Sequence, residues 1–124
     1  MPQIVLLLKR KPGMTKEEFK AHYESSHAAA AVRWQGRLMQ DYRRNYTQTQ
    51  FTLDAFAEPE GEDTAYDAVT VISFESDAQM EAFLKEGSQH SEWFLADEHR
   101  FLDRGKVLGF IATQEVSPVG ADAG

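Results

Sequence analysis

Three short runs of this chain are apolar on both of the faces a strand presents, and this constrains the fold more than any other feature. Gln3 to Lys9 is built from Ile, Val and Leu and ends at the punctuation of Lys11, Pro12 and Gly13. Asp67 to Glu75 (DAVTVISFE) and Lys106 to Val116 (KVLGFIATQEV) share that two-sided character. Successive side chains of a strand point to opposite faces, so a sheet with one wet face alternates apolar and polar residues. These runs do not alternate. Both faces of the sheet they form therefore need cover.

Helical patterns lie between them. Thr15 with Glu18 three residues later fits a capping box, in which the hydroxyl accepts from a free backbone N–H and the glutamate reaches back. The spacing predicts a helix over Thr15 to Trp34, with Phe19, Tyr23 and His27 four residues apart and Ala30 and Trp34 on the same side. Ser25 and Ser26 mark a candidate kink, and Gly36 ends the helix. The alanines 28–31 favour helix but are slim, which leaves room beside His27. Leu38 to Phe51, with its Tyr, Thr and Phe, reads as one long strand. Ala57 to Thr64 reads as a solvated acidic loop. Asp77 is placed as the cap of a helix through about Glu86, with Met80, Phe83 and Leu84 as its buried stripe. After Gly87 a second helical piece carries Trp93, Phe94, Asp97 and Phe101.

The order β-α-β-β-α-β predicts an α+β fold, a ferredoxin-like antiparallel four-stranded sheet with its helices on one face. The other face then needs a partner. A second copy of the chain is the simplest one, so the expectation is a homodimer whose two sheets face each other across a barrel-like interior. Residues 1–116 form the expected domain and 117–124 a flexible tail.

At 124 residues the chain is expected to form one domain with a core of its own. A net charge of -7 argues against a nucleic-acid partner, because phosphates are held by clustered Lys and Arg. The apolar runs are too short to span a bilayer, and Met1 to Gly13 lacks the pattern of a secretory signal, so no membrane and a cytoplasmic location are expected. The absence of cysteine excludes disulfides, thiolate metal sites and a cysteine nucleophile.

The segments KRKPGMTKEEFKAHYESSHA, YRRNY and FLADEHRFLDRGKV resemble the EthD family of dimeric α/β-barrel proteins, and the likeness runs roughly from Gln3 to Val116. The resemblance implies the same ferredoxin-like fold. It also implies that His27 points into a cavity between helix and sheet. Relatives of this kind include proteins linked to ether degradation and enzymes that cyclise, dehydrate or decarboxylate aromatic polyketides. The wider superfamily adds haem-degrading and cofactor-free quinone-forming monooxygenases. Here HAAAA replaces the commoner HAPL-type continuation, which widens or smooths the pocket beside the histidine.

His27 is the candidate general base or acid, since imidazole titrates near neutrality; the alternative is a histidine buried for structure. Asp97 shares a helix face with Trp93 and Phe101, which would desolvate it and raise its pKa unless a cation pairs with it. It could orient His27, transfer a proton, or pair with Arg100 or Arg104. Tyr46 could hydrogen-bond a substrate oxygen as charge develops there, or brace a dimer; Asn45, its neighbour, points to the opposite face. Phe19, Tyr23, Trp34 and Phe101 are the expected walls, with Asn45 as a further candidate contact.

No metal is expected, because His22 and His27 lie about 140° apart on a straight helix and cannot share an ion. Glycine-rich phosphate loops are absent as well, which argues against nucleotide cofactors. Two functions fit these residues. One is a cofactor-free acid/base enzyme of cyclase, dehydratase or decarboxylase type, acting on a hydrophobic aromatic or polyketide-like molecule. The alternative is a non-enzymatic carrier of a small hydrophobic ligand, haem included, serving a partner oxygenase.

Overall fold

The computed structural model describes residues 1–55 and 63–120. Four strands, β1 (Pro2–Leu8), β2 (Asp41–Tyr46), β3 (Ala68–Ser73) and β4 (Leu108–Thr113), form one sheet in the order β2-β3-β1-β4. Every neighbouring pair is antiparallel. The helices are α1 (Lys16–His22), α2 (Ala28–Gln35), α3 (Asp77–Ser88) and α4 (Ser91–Phe101), with a π-turn over Tyr23–His27 joining α1 to α2. This is the α+β, ferredoxin-type architecture expected from the order of the elements.

Register decides which side chains meet. Ile4, Leu6 and Leu8 of β1 stand beside Ile72, Thr70 and Ala68 of β3, and Tyr42 and Tyr46 of β2 stand beside Ile72 and Ala68. Paired residues share a face of the sheet. That face packs on Phe19, Tyr23, Ala28 and Phe101 at one end, and on Phe74, Met80 and Phe83 at the other. The opposite face presents Val5, Leu7, Val69, Val71, Leu108 and Phe110, and Leu108 and Phe110 are 47% and 51% exposed. The two-sided apolar pattern thus has a counterpart in space: helices cover one face and the second stays apolar.

Several local expectations are corrected. The second strand is not Leu38 to Phe51 but six residues, Asp41–Tyr46. Gly36–Leu38 is a 3-10 turn, and beyond Tyr46 the ladder runs out because β3 begins opposite it at Ala68. Thr47 instead hydrogen-bonds Thr64 and the Tyr66 carbonyl. Ser76, not Asp77, caps α3, accepting from the Gln79 N–H at 3.2 Å. Met80 and Phe83 are buried but Leu84 is 47% exposed, so the buried stripe of α3 is narrower than its sequence implies. Most of the acidic loop, 57–62, lies outside the described residues, as do 121–124 of the tail.

The start of the first helix follows the sequence. Thr15 Oγ1 accepts from the Glu18 N–H at 3.1 Å, and the Glu18 carboxylate accepts from the Thr15 N–H at 2.9 Å. The strand that feeds this helix is pinned by Asp67, whose side chain is 1% exposed. Its carboxylate accepts from the Arg10 backbone N–H at 2.8 Å and from Nη1 of Arg10 at 2.6 Å. The helix is then interrupted where the serines stand. Ser25 Oγ donates to the Ala21 carbonyl at 2.7 Å, inside the π-turn.

Loss of the capping hydroxyl costs about 1 kcal/mol in a typical helix. Thr15→Ala is accordingly expected to lower unfolding stability by about 1 kcal/mol in urea titration, with the slope of the transition unchanged.

Candidate functional site

A cavity of about 750 Å³ lies between the helices and the covered face of the sheet. Ile4, Leu6 and Ile72 form its floor, and Tyr23, His27, Ala31 and Gln35 supply one wall from the first helical segment. Phe94 and Phe101 close it from α4, while Leu84 and Leu95 are exposed parts of its lining. The slim alanines explain part of the space: Ala28 and Ala30 pack tightly, and Ala31 faces the cavity.

His27 depends on the π-turn for its setting. A turn with i→i+5 hydrogen bonds is wider than an α-turn, and it carries His22 and His27 onto one side of the segment. The straight-helix argument that kept them apart is therefore overturned. Both rings reach one carboxylate, Asp97, which is fully buried. His22 Nε2 lies 2.9 Å from Oδ1, His27 Nδ1 lies 3.0 Å from Oδ2, and Ser26 Oγ donates to Oδ1 at 2.9 Å. Arg100 is farther, at 3.7 Å, and Arg104 pairs with Glu98 instead.

This arrangement answers the question of how Asp97 is ionised. Burial pushes its carboxyl up, but the hydrogen bonds from His22, Ser26 and His27 outweigh burial and hold it below the usual carboxylate range. An ionised carboxylate only accepts, so Nδ1 of His27 carries the proton of that bond. Burial among aromatic rings lowers the pKa of His27, and the hydrogen bond to Asp97 recovers only part of the shift. The ring is thus neutral at pH 7, with Nε2 bare. Among the described residues nothing hydrogen-bonds that nitrogen and it is not sealed in, and His27 lines the cavity. Tyr23, Trp93, Phe94 and Phe101 surround the ring at centroid distances of 5.1 to 6.4 Å.

A second polar group faces the same cavity. Tyr42 donates to the Tyr23 hydroxyl at 3.2 Å, and the Tyr23 hydroxyl lies 2.7 Å from Thr70 Oγ1. Burial raises the pKa of both phenols, so they stay protonated. Three linked hydroxyls therefore stand on a largely apolar wall.

Of the eight residues singled out from sequence, the structure brings His27, Tyr23 and Phe101 to the cavity, with Asp97 directly behind His27. Phe19 is packed in the core beneath them, against Tyr23 and Phe101. Tyr46 lies to one side, where its hydroxyl donates to Glu24. The Arg44 guanidinium grips that carboxylate with two bonds of 2.7 Å and holds its pKa down at about 2. Trp34 stacks on His90 at 4.1 Å, and Asn45 donates to the Val69 carbonyl at the sheet edge. Sequence reasoning missed Thr70, Tyr42, Gln35 and Ser26. For Ser26 and His22 the signal was the serine pair itself, once its effect on the turn is followed through to α4. Among the described residues no group of three or more His, Asp or Glu is arranged to hold a metal. Nor is any described helix long and apolar enough to cross a membrane.

Residues 11–105 match the sequence model of the EthD domain. No curated protein matches the chain. Solved structures do resemble it. An EthD-like protein from Ralstonia eutropha aligns with TM-score 0.64 at 15% identity, over 98% of this chain and 96% of its own. A protein from Arabidopsis thaliana, At3g17210, aligns with TM-score 0.61 at 18% identity, over 96% and 100%. HapK from Hahella chejuensis gives 0.57 at 16% identity, over 98% and 99%. At such identities these likenesses concern the fold.

The depressed pKa of His27 has a measurable consequence. Below its ordinary value near 6.5 the unfolded chain binds a proton that the folded ring rejects, so stability is complete above that pH and falls as the pH drops toward the folded value. In denaturant titrations from pH 7.5 to 5, His27→Gln is expected to lose less stability with acidification than the wild type does.

Proposed function

Because the chain belongs to the EthD family, we propose that it is an acid/base enzyme acting on a hydrophobic aromatic or polyketide-like molecule, with His27 as the proton-transfer group. The observation that carries this reading is the bond from His27 Nδ1 to the buried Asp97 carboxylate, which leaves Nε2 unprotonated in an apolar cavity. In this scheme Nε2 removes a proton from carbon next to a substrate carbonyl. The C–H electron pair moves into an enolate, and the proton rests on an imidazolium steadied by Asp97. The proton then returns to a substrate carbon or leaves with a departing hydroxyl.

The donor best placed for the enolate oxygen is the Tyr42 hydroxyl, which belongs to a residue lining the cavity with His27 and stays protonated; it serves the substrate by turning its O–H away from Tyr23, which is fully buried like Thr70. It takes the part that sequence reasoning assigned to Tyr46, whose hydroxyl is held by the Glu24 carboxylate, a stronger acceptor than a phenol. The chemistry needs no group beyond these side chains, and the proposed enzyme is free of cofactors. We further propose that it works as a homodimer joined through the apolar sheet face carrying Val5, Val71, Leu108 and Phe110.

Proton abstraction can be tested without the natural substrate. With 2-tetralone in heavy water, the wild type is expected to speed deuterium uptake next to the carbonyl by at least a hundredfold over His27→Ala, the range of general-base catalysis. Equal rates in the two proteins would remove His27 from the mechanism. A Soret band formed with haemin, and lost in His27→Ala, would favour the carrier function instead.

The dimer is tested separately. The wild type should sediment as a dimer at micromolar concentration and Phe110→Asp as a monomer, since a carboxylate on that face cannot be buried unpaired. A monomeric wild type would rule the assembly out.

A further inference from the structure

At the end of α2, about 12 Å of helix beyond His27, the cavity wall includes Gln35. This side chain is 96% buried by its 4% exposure, an unusual place for glutamine. Its Nε2 donates to the Phe83 carbonyl at 2.9 Å. A carbonyl oxygen only accepts, so that bond fixes which end of the amide is nitrogen. The seat is shaped for it: a Cβ at Gly87 would stand 2.7 Å from Nε2, so residue 87 must be glycine or the amide must move.

Oε1 is left over. Among the described residues no donor reaches it, yet no buried side-chain oxygen or nitrogen is without a partner. Oε1 therefore has open space in front of it. Gln35 is otherwise enclosed, and the cavity is the space it lines. A bare acceptor in an apolar chamber costs stability unless water or a ligand supplies a donor.

We infer that Gln35 Oε1 is a specificity subsite that accepts a hydrogen bond from an O–H or N–H on the end of the ligand remote from His27. The ligand class is then a flat, largely apolar molecule of two or more fused rings with a phenolic hydroxyl, or an equivalent donor, at its far end. Ile4, Ile72 and Phe83, which line the same cavity, favour a ring system over a charged group. This rests on reading the cavity as an aromatic-substrate site, but it does not require His27 to be the base.

The test compares binding of 2-naphthol with that of 2-methoxynaphthalene, which keeps the rings but cannot donate. One hydrogen bond corresponds to roughly a three- to tenfold preference for the naphthol. The wild type and His27→Ala should both show it by calorimetry, and Gln35→Met, similar in length but without an acceptor of comparable strength, should lose it. A preference that survives in Gln35→Met, or is absent from the wild type, overturns the assignment. As a readout on the unmutated protein, the Cδ carbon resonance of Gln35 should move downfield with 2-naphthol and stay in place with 2-methoxynaphthalene; equal shifts would overturn it as well. Deuterium uptake that persists in His27→Ala would end the general-base mechanism while leaving this preference intact, so the two can fail separately.

Discussion

Much of this molecule depends on one buried carboxylate. Asp97 is shut away from water, which would be costly for an anion, and it is stabilised only because three donors from the first helical segment converge on it. The bonds do two things at once. They tie α4 to the π-turn across the top of the cavity, and they orient the His27 ring so that one nitrogen carries a proton and the other does not. Fixing the protonation pattern of a ring this way is worth more to chemistry than to stability. An apolar pair of similar volume could join the two helices, but it could not hold an imidazole as a base.

The π-turn is what lets one carboxylate serve two histidines. In a regular α-helix residues five apart diverge, and the sequence pattern HYESSH gives no hint of convergence under that geometry. Strand order, helix positions, the capping box and the covered and bare sheet faces could be read from the chain, because they follow from period and local chemistry. His27 could be read as well. The Asp97 hub could not be resolved, because it depends on one extra residue in a turn, a detail that tertiary packing settles and periodicity averages away. Tyr46 illustrates the reverse error. As a tyrosine on the covered face of β2 it was a reasonable catalytic candidate, but Glu24 and Arg44, on other parts of the chain, claim its hydroxyl. Tyr42, four residues earlier on the same face, lines the cavity instead.

Thr70 and Gln35 are illegible in the sequence for a different reason. Thr70 sits in a strand where threonine is common on β-propensity alone, and Gln35 ends a helix where glutamine is ordinary. Neither residue type is informative until its burial is known. Both are then conspicuous, since a fully buried hydroxyl or amide must be explained by its partners. Thr70 has the Tyr23 hydroxyl. Gln35 has a partner for its nitrogen only.

A chain of 124 residues that keeps a cavity of about 750 Å³ gives up packing that a domain of this size can hardly spare. The walls must then be held by contacts outside the chamber. Asp67 and Arg10 fasten the end of β1 to the start of β3, and Glu24 and Arg44 fasten the π-turn to β2. Each tie lies beyond the reacting face of His27, and each joins elements that carry a cavity residue. Polar cross-links are suited to this work because their directionality resists collapse, whereas a purely apolar perimeter would gain by closing over the void. The alanines of α2 set the width of the chamber, and these ties keep that width from being lost.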